Sequence, residues 1–345
     1  MISFLPRIAV TTGDCAGIGP ELVLHAFNSK QIAECANLSV YGNLNILKTV
    51  SLRSGISFNP QIRVVKSAEE LKDGFQGHVL INSDTPDLTS IRPRTAQQSC
   101  GAAAAAWIET AVKDTISGKS DAVVTAPINK SAINMAGVNF PGHTEMLASL
   151  CHTEKPCMAF YSPGLIISLA TIHTALSTVP TLLTPEHLLH VCKMTDGLCR
   201  QQGIQSPAIG ILALNPHAGE NGLFGNEELE IIIPLIAEAR RQGINLSGPL
   251  VPDTAFTWLY PPVKPAPFDA YIAMYHDQAL IPFKMAAFDK GVNITLGLPI
   301  IRTSPDHGTA YDLAWQGKAS PGSFFQAIRM AARMAVSRKN EQEKN

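Results

Sequence analysis

The sequence predicts an α/β protein with mostly parallel sheets, and three observations carry that prediction. Short runs of Val, Ile, Leu and Ala recur with little polar alternation, the pattern of strands buried on both faces. Longer stretches with recognisable helix ends separate these runs, and strand–helix alternation builds parallel sheets. The chain has 345 residues, enough for two domains at about 150 residues each.

Taken in order, the strand candidates lie at 7–12, 38–41, 79–81, 122–125, 165–172, 208–214, 270–275 and 292–296. An alanine-rich helix fills 99–117, with Gly118 placed as its C-terminal cap. Thr184, Pro185 and Glu186 supply an N-cap, a first-turn proline and a first-turn acid for a helix that runs to Arg200. Asn226 caps a helix over 227–242, with Glu227 and Glu228 at its positive end, Arg240 and Arg241 at its negative end, and Gly243 just beyond. Residues 261–267 hold four prolines and read as a stiff loop, and 338–345 as a polar, frayed tail. The expected division is a terminal domain of 1–129 plus 291–345 and a central domain of 130–290.

Composition removes several function classes. Charged residues make up only 16% against 46% apolar, which points to much buried surface. The formal net charge of −1 argues against nucleic acid as the partner, since phosphate backbones need a clustered excess of cations. No apolar run approaches the ~20 residues of a membrane span, and the start lacks the basic leader of a signal peptide. Seven cysteines without a CxxC pair read as reduced thiols of a cytoplasmic protein.

The chemistry gathers at strand ends. His173, His217 and His276 each stand at or just past the end of a predicted buried strand, the edge where open α/β sheets bind ligands. One such histidine is ordinarily a hydrogen-bonded loop residue. Three in the same position suggest a metal site that keeps an open coordination position. His187 and His190 share i,i+3 spacing, with nothing else to join them, and read as surface residues. The loop TTGDCAGIGPE has the spacing G-x3-G-x-G, which is not the dinucleotide fingerprint, so it reads as a tight strand-to-helix turn. No P-loop and no G-x-S-x-G are present. Polar loops around Lys130, around His143 and Thr144, and from Lys284 through Asn293 to Arg302 offer the donors that an anionic, phosphorylated small molecule needs.

TGDCAGIGPEL, VTAPINKSAIN, FPGHTEML, LNPHAGENG, PDTAF, AMYHDQALIPFK and GVNITLGLPIIRTSPDHGTA together resemble the 4-hydroxythreonine-4-phosphate dehydrogenase family of vitamin B6 synthesis, over nearly the whole chain. The resemblance implies two α/β/α domains with an active-site cleft between them, as in isocitrate and isopropylmalate dehydrogenases, and a homodimer. The terminal domain would be the cofactor side, and the central domain the metal, substrate and dimer side. It also implies a divalent metal, Zn, Mg or Co, held by His173, His217 and His276, two from one subunit and one from its partner. Substrate contacts carry over to His143, Thr144, Lys284, Asn293 and Arg302. His307, Gly308 and Thr309 match the cofactor loop of the wider dehydrogenase group. Asp312 can accept ribose hydroxyls and would repel a 2′-phosphate, which favours NAD over NADP.

The implied reaction is oxidation of 4-phosphohydroxy-L-threonine at C3, then decarboxylation to 3-amino-2-oxopropyl phosphate, with Lys130, Lys284 or Asp253 as base. Relatives that oxidise 4-phospho-threonate or 4-phospho-erythronate share these motifs, so that alternative substrate class stays open. The chain departs from the family pattern at Cys15, in TALSTV after His173, which lacks an acid, and at Trp315, where glycine is common.

Overall fold

The computed structural model describes residues 5–72, 74–82, 87–140, 142–260 and 265–343. Pro141 of the FPGHTE motif, residues 261–264 of the proline-rich loop and the last two residues of the tail lie outside them. Twelve strands are present among the described residues: β1 (Arg7–Thr11), β2 (Asn37–Tyr41), β3 (Arg63–Val65), β4 (Val79–Ile81), β5 (Ala122–Thr125), β6 (Cys157–Ser162), β7 (Leu165–Leu169), β8 (Ile209–Leu212), β9 (Leu246–Leu250), β10 (Ala270–Ala273), β11 (Val292–Leu296) and β12 (Ile301–Pro305).

The chain divides into two compact units, Met1–Pro156 with Leu298–Asn345, and Cys157–Gly297. Residues 130–156 therefore go with the terminal unit and residues 291–297 with the central one, whereas the sequence placed each the other way. The helix Lys130–Met135 lies so close to the helix Gln98–Ile116 that a Cβ at Gly101 would stand 2.0 Å from the Ala132 carbonyl oxygen. Only glycine permits that approach of two backbones.

In the terminal unit the strand order is β3-β4-β2-β1-β5-β12, and every neighbouring pair is parallel. β2, β4, β5 and β12 are buried at every position, as strands covered on both faces must be. Two of the helices of this unit start on asparagine caps: Asn43 Oδ1 accepts from Ile46 N at 3.1 Å, and Asn129 Oδ1 from Ala132 N at 3.0 Å. Trp107 and Phe324 fill the interior, and Tyr41 donates to Asp114 Oδ2 at 2.8 Å. The C-terminal helix runs Gly322–Gln342, so the segment expected to fray is helical through Gln342. The buried face of that helix (Ala327, Ile328, Ala331, Met334, Ala335) continues almost to the polar end and holds it.

In the central unit the order is β11-β6-β7-β10-β8-β9. β6 runs antiparallel to both β7 and β11, and the other pairs are parallel. The core centres on Tyr271, with the rings of Phe256, Trp258 and Phe268 at centroid distances of 4.9, 6.2 and 5.7 Å. Thr184 caps the helix Pro185–Gln201, its hydroxyl accepting from His187 N at 3.2 Å. Asn226 makes no such cap. The turn Glu228–Ile232 is π-helical and leads into the helix Ile233–Arg241.

Four strands, β3, β6, β9 and β12, went unread in the sequence. β9 contains Gly248-Pro249, ordinarily a turn signal, and β12 buries Arg302, Thr303 and Ser304, which patterning assigns to a surface.

Candidate active site

In the central unit β7, β10 and β8 are adjacent and parallel, so their carboxyl ends share one edge of the sheet. The chain leaves these three strands toward His173, His276 and His217. The rings of His173 and His276 stand with centroids 6.1 Å apart at 43°. Both line an open cavity of about 440 Å³, together with Ile172, Tyr275 and Asp277.

His276 opens the helix His276–Ala287, and its Nδ1 lies 2.6 Å from Asp277 Oδ1. A carboxylate there accepts the Nδ1 proton, which places the ring's lone pair on Nε2, the tautomer a metal ligand needs. Gln278 ties two of these strand ends together: its Oε1 accepts from Met274 N at 2.7 Å, and its Nε2 donates to Ala213 O at 2.8 Å.

His217 occupies a different loop, its ring 6.1 Å from that of Phe224. Among the described residues of a single chain, no three His, Cys, Asp or Glu side chains form a group able to hold a metal. The structure therefore brings His173 and His276 together, and His217 does not join them within one chain. His187 and His190 are half-buried rather than on the surface, and His187 Nε2 lies 2.6 Å from Ala170 O. That contact braces the chain just ahead of His173.

Lys284 is half-buried on the His276 helix, its Nζ 5.8 Å from the Phe288 ring centroid. Asn293 lies on β11 in register with Phe160 of β6. Asp253 is exposed in the turn that follows β9.

The terminal unit holds a cationic cluster. Arg302 on β12 is only 2% exposed, and its Nη2 donates to Thr125 Oγ1 at the end of β5 at 2.7 Å. Burial lowers its pKa from 12.5 to about 9, which leaves the guanidinium charged at neutral pH. His143 opens the helix His143–Leu150, with Thr144 buried in its first turn. Burial pushes the His143 imidazole well below its usual 6.5, and the positive charges of Arg302 and Lys130 push it the same way. The His143 Nε2 is enclosed and makes no hydrogen bond. Gly142, the residue ahead of this helix, contributes no side-chain cap. An uncapped helix start, two cations and a buried imidazole nitrogen form a cradle for an anion.

The 307–317 segment docks on the glycine-rich first loop. Ile18 N donates to Thr309 O at 3.0 Å, Tyr311 Oη to Asp14 Oδ2 at 2.7 Å, Trp315 Nε1 to Cys15 O at 3.0 Å, and Gly317 N to Glu21 Oε1 at 2.7 Å. His307 Nδ1 lies 3.0 Å from Gly308 O, while Gly308 and Asp312 are exposed. The loop read as a plain turn is thus the platform for the expected cofactor segment. Two departures from the family pattern, Cys15 and Trp315, meet in one of these bonds. Trp315 has φ 63, a left-handed conformation that glycine adopts without strain, and the Arg53 guanidinium covers its ring at 5.1 Å.

Sequence reasoning missed Asp14, Asp277, Gln278 and Tyr311 as supporting groups. Asp277 and Gln278 follow His276 directly, and that adjacency was the available signal. Nothing in the sequence linked Asp14 to Tyr311.

No helix among the described residues is long and apolar enough to cross a membrane. The family model for pyridoxal phosphate biosynthetic protein PdxA matches residues 34–331. The chain is 41% identical to 4-hydroxythreonine-4-phosphate dehydrogenase of Trichlorobacter lovleyi, covering 96% of this chain and 98% of that protein. It is 38% identical to D-threonate 4-phosphate dehydrogenase of Salmonella typhimurium, over 95% of this chain and 98% of the relative. A crystal structure of 4-hydroxythreonine-4-phosphate dehydrogenase from Klebsiella pneumoniae superposes with a TM-score of 0.81 at 36% identity, covering 96% of this chain and 99% of the other. With strands, helices and motifs matched over nearly its whole length, the chain belongs to the PdxA family of dehydrogenases.

Proposed function

We propose that this dehydrogenase oxidises 4-phosphohydroxy-L-threonine at C3 with NAD and a divalent metal ion. The resulting β-keto acid loses CO2, giving 3-amino-2-oxopropyl phosphate for vitamin B6 synthesis. The observation that carries the reading is the His173–His276 pair on one cavity, with Asp277 behind His276, at the carboxyl edge of parallel strands. Imidazole nitrogens oriented by a carboxylate fit a divalent ion, and suit Zn or Co better than Mg.

When bound, the ion supplies Lewis-acid polarisation of the substrate hydroxyl and the nicotinamide accepts the hydride. The chain's own groups do the rest. Asp277 fixes the His276 tautomer, and the partner subunit's His217 completes the ligand set in a homodimer. The exposed apolar stripe Ile281, Met285 and Phe288 on the His276 helix supports such an association. Arg302, His143 and Thr144 hold an anionic group of the substrate, and Lys284 and Asn293 make further substrate contacts. Lys130 or Asp253 takes the hydroxyl proton. Both are exposed, and the place of Lys130 near His143, whose imidazole feels its charge, favours it over Asp253. His307, Gly308 and Thr309 bind the adenine side of NAD, and Asp312 its ribose hydroxyls. Seven free thiols support a cytoplasmic location.

The relative that acts on D-threonate 4-phosphate, at 38% identity, favours a second reading in which 4-phospho-threonate or 4-phospho-erythronate is oxidised. NADH formation with each of the three substrates, before and after chelation, decides between them. Metal-dependent turnover of the amino acid alone establishes the first reading, and preference for a hydroxy acid establishes the second. Turnover of none, with metal present, overturns both.

A further inference from the structure

His217 sits in an unusual backbone. Residues His217, Ala218, Gly219, Glu220 and Asn221 have φ of 52, 54, 79, 44 and 54°, a left-handed run in which four of five residues carry a Cβ. Left-handed conformations crowd the Cβ against the following carbonyl, so a run of them persists only when surrounding bonds over-determine it.

One side chain lies at the centre of those bonds. Glu228 is 1% exposed. Its Oε1 accepts from both Leu214 N and Asn215 N at 2.8 Å, and its Oε2 accepts from Asn215 Nδ2 at 2.9 Å. The same Oε2 occupies the space beside Gly219, where a Cβ would come within 2.6 Å of it. Glu228 thus grips the chain two and three residues before His217 and packs against it two residues after. Glu227 holds the loop by one bond only, from Asn215 Nδ2 to its Oε2 at 2.7 Å. Glu228 itself begins the π-helical turn Glu228–Ile232, a local departure from α-helix frequent at functional sites.

We infer that Glu228 is a positioning residue for His217: its buried carboxylate clamps the left-handed loop in the one shape that presents the imidazole as a metal ligand. The inference rests on the reading of His217 as a ligand, and it adds a residue that touches neither metal nor substrate. Replacing one acceptor oxygen, or the whole carboxylate, frees the loop to relax, and the entropy of re-forming it is then charged against each metal bound.

The test is Co2+ titration of the chelator-stripped full-length protein by calorimetry, with unfolding midpoints measured on the same samples. His217→Ala is expected to weaken Co2+ binding more than 100-fold and Glu228→Ala about 10- to 100-fold, the range for groups that orient metal ligands. Glu227→Ala should stay within about 3-fold, since it removes a single bond to a half-buried side chain. A merely structural Glu228 would lower the unfolding midpoint and leave Co2+ affinity unchanged, and that result overturns the inference. If Glu228→Ala does not fold, Glu228→Gln keeps the size and one acceptor. It should bind about 3- to 10-fold more weakly for want of charge-assisted bonds, and wild-type affinity in it again overturns the inference. Wild-type affinity in His217→Ala as well shows instead that His217 is no ligand, which removes the premise and the inference together.

Discussion

Tyr311 donates its hydroxyl to Asp14 Oδ2 at 2.7 Å, although the two residues stand 297 positions apart. This bond ties the segment expected to hold the cofactor to the loop after the first strand. Asp14 is 1% exposed, and burial raises its pKa. The bond from Tyr311 and backbone N–H groups of Ala16 and Gly17 work in the opposite direction.

Tyr311→Phe removes one donor from that buried carboxylate, and a loss of about 1–3 kcal/mol is expected, read by urea unfolding at neutral pH. The folded-state pKa of Asp14 lies above its unfolded value, so its ionisation costs stability as pH rises through that interval. The cost is absent below the unfolded value. The difference between Tyr311→Phe and wild type should therefore shrink on acidification. An equal difference at neutral and acid pH rules out Asp14 as the group involved.

His78 gives a second pH signature. Burial lowers its pKa from 6.5 to about 4, with the charge of Arg7 adding to the effect, and its Nδ1 accepts from Leu38 N at 3.1 Å. A depressed folded-state pKa contributes stability that is present above 6.5 and lost as pH falls toward 4. Wild type should lose about 3 kcal/mol more than His78→Gln across that window, since glutamine keeps an acceptor and does not titrate. Parallel denaturant series at several pH values check this, and identical slopes would refute it.

Arg302→Lys tests the anion cradle. Lysine keeps the charge but has no planar fork, and its ammonium is more strongly hydrated. Losing a buried charge-assisted bond costs about 1.5–3 kcal/mol, so kcat/KM for the phosphorylated substrate should fall roughly 10- to 150-fold. The loss should appear mainly in KM. Unchanged KM would place the substrate's anionic group elsewhere.

The exposed stripe on the His276 helix tests the proposed homodimer. Met285 is 83% and Phe288 70% exposed in the single chain. If a second copy covers them, Met285→Glu with Phe288→Asp puts two charges into that contact. Sedimentation analysis should then show monomers where wild type shows dimers. A variant that remains dimeric excludes this face.

Much of the fold was legible because its signals are local. Ala122–Thr125 and Val292–Leu296 are continuous apolar runs and became strands with the bounds their patterns gave. Thr184-Pro185-Glu186 capped its helix as such a triplet does. β12 was not legible, since Arg302, Thr303 and Ser304 read as surface residues. They are buried because Arg302 reaches Thr125 and the Thr303 hydroxyl donates to Ala327 O at 2.8 Å. Polar residues enter a sheet interior when distant partners satisfy them, and a linear pattern carries no record of such partners.

Local pattern alone carries the alternation of parallel strands with helices and the histidines that follow the carboxyl ends of three strands, because periodicity and strand ends are properties of neighbouring residues. Tertiary structure alone decided which of those histidines meet. His173 and His276 face one another because β7 and β10 are adjacent, while the left-handed loop gripped by Glu228 carries His217 elsewhere. It likewise decided that Asp14 and Tyr311 share a proton's bond, since strand order and loop docking are set by packing between segments far apart in the chain.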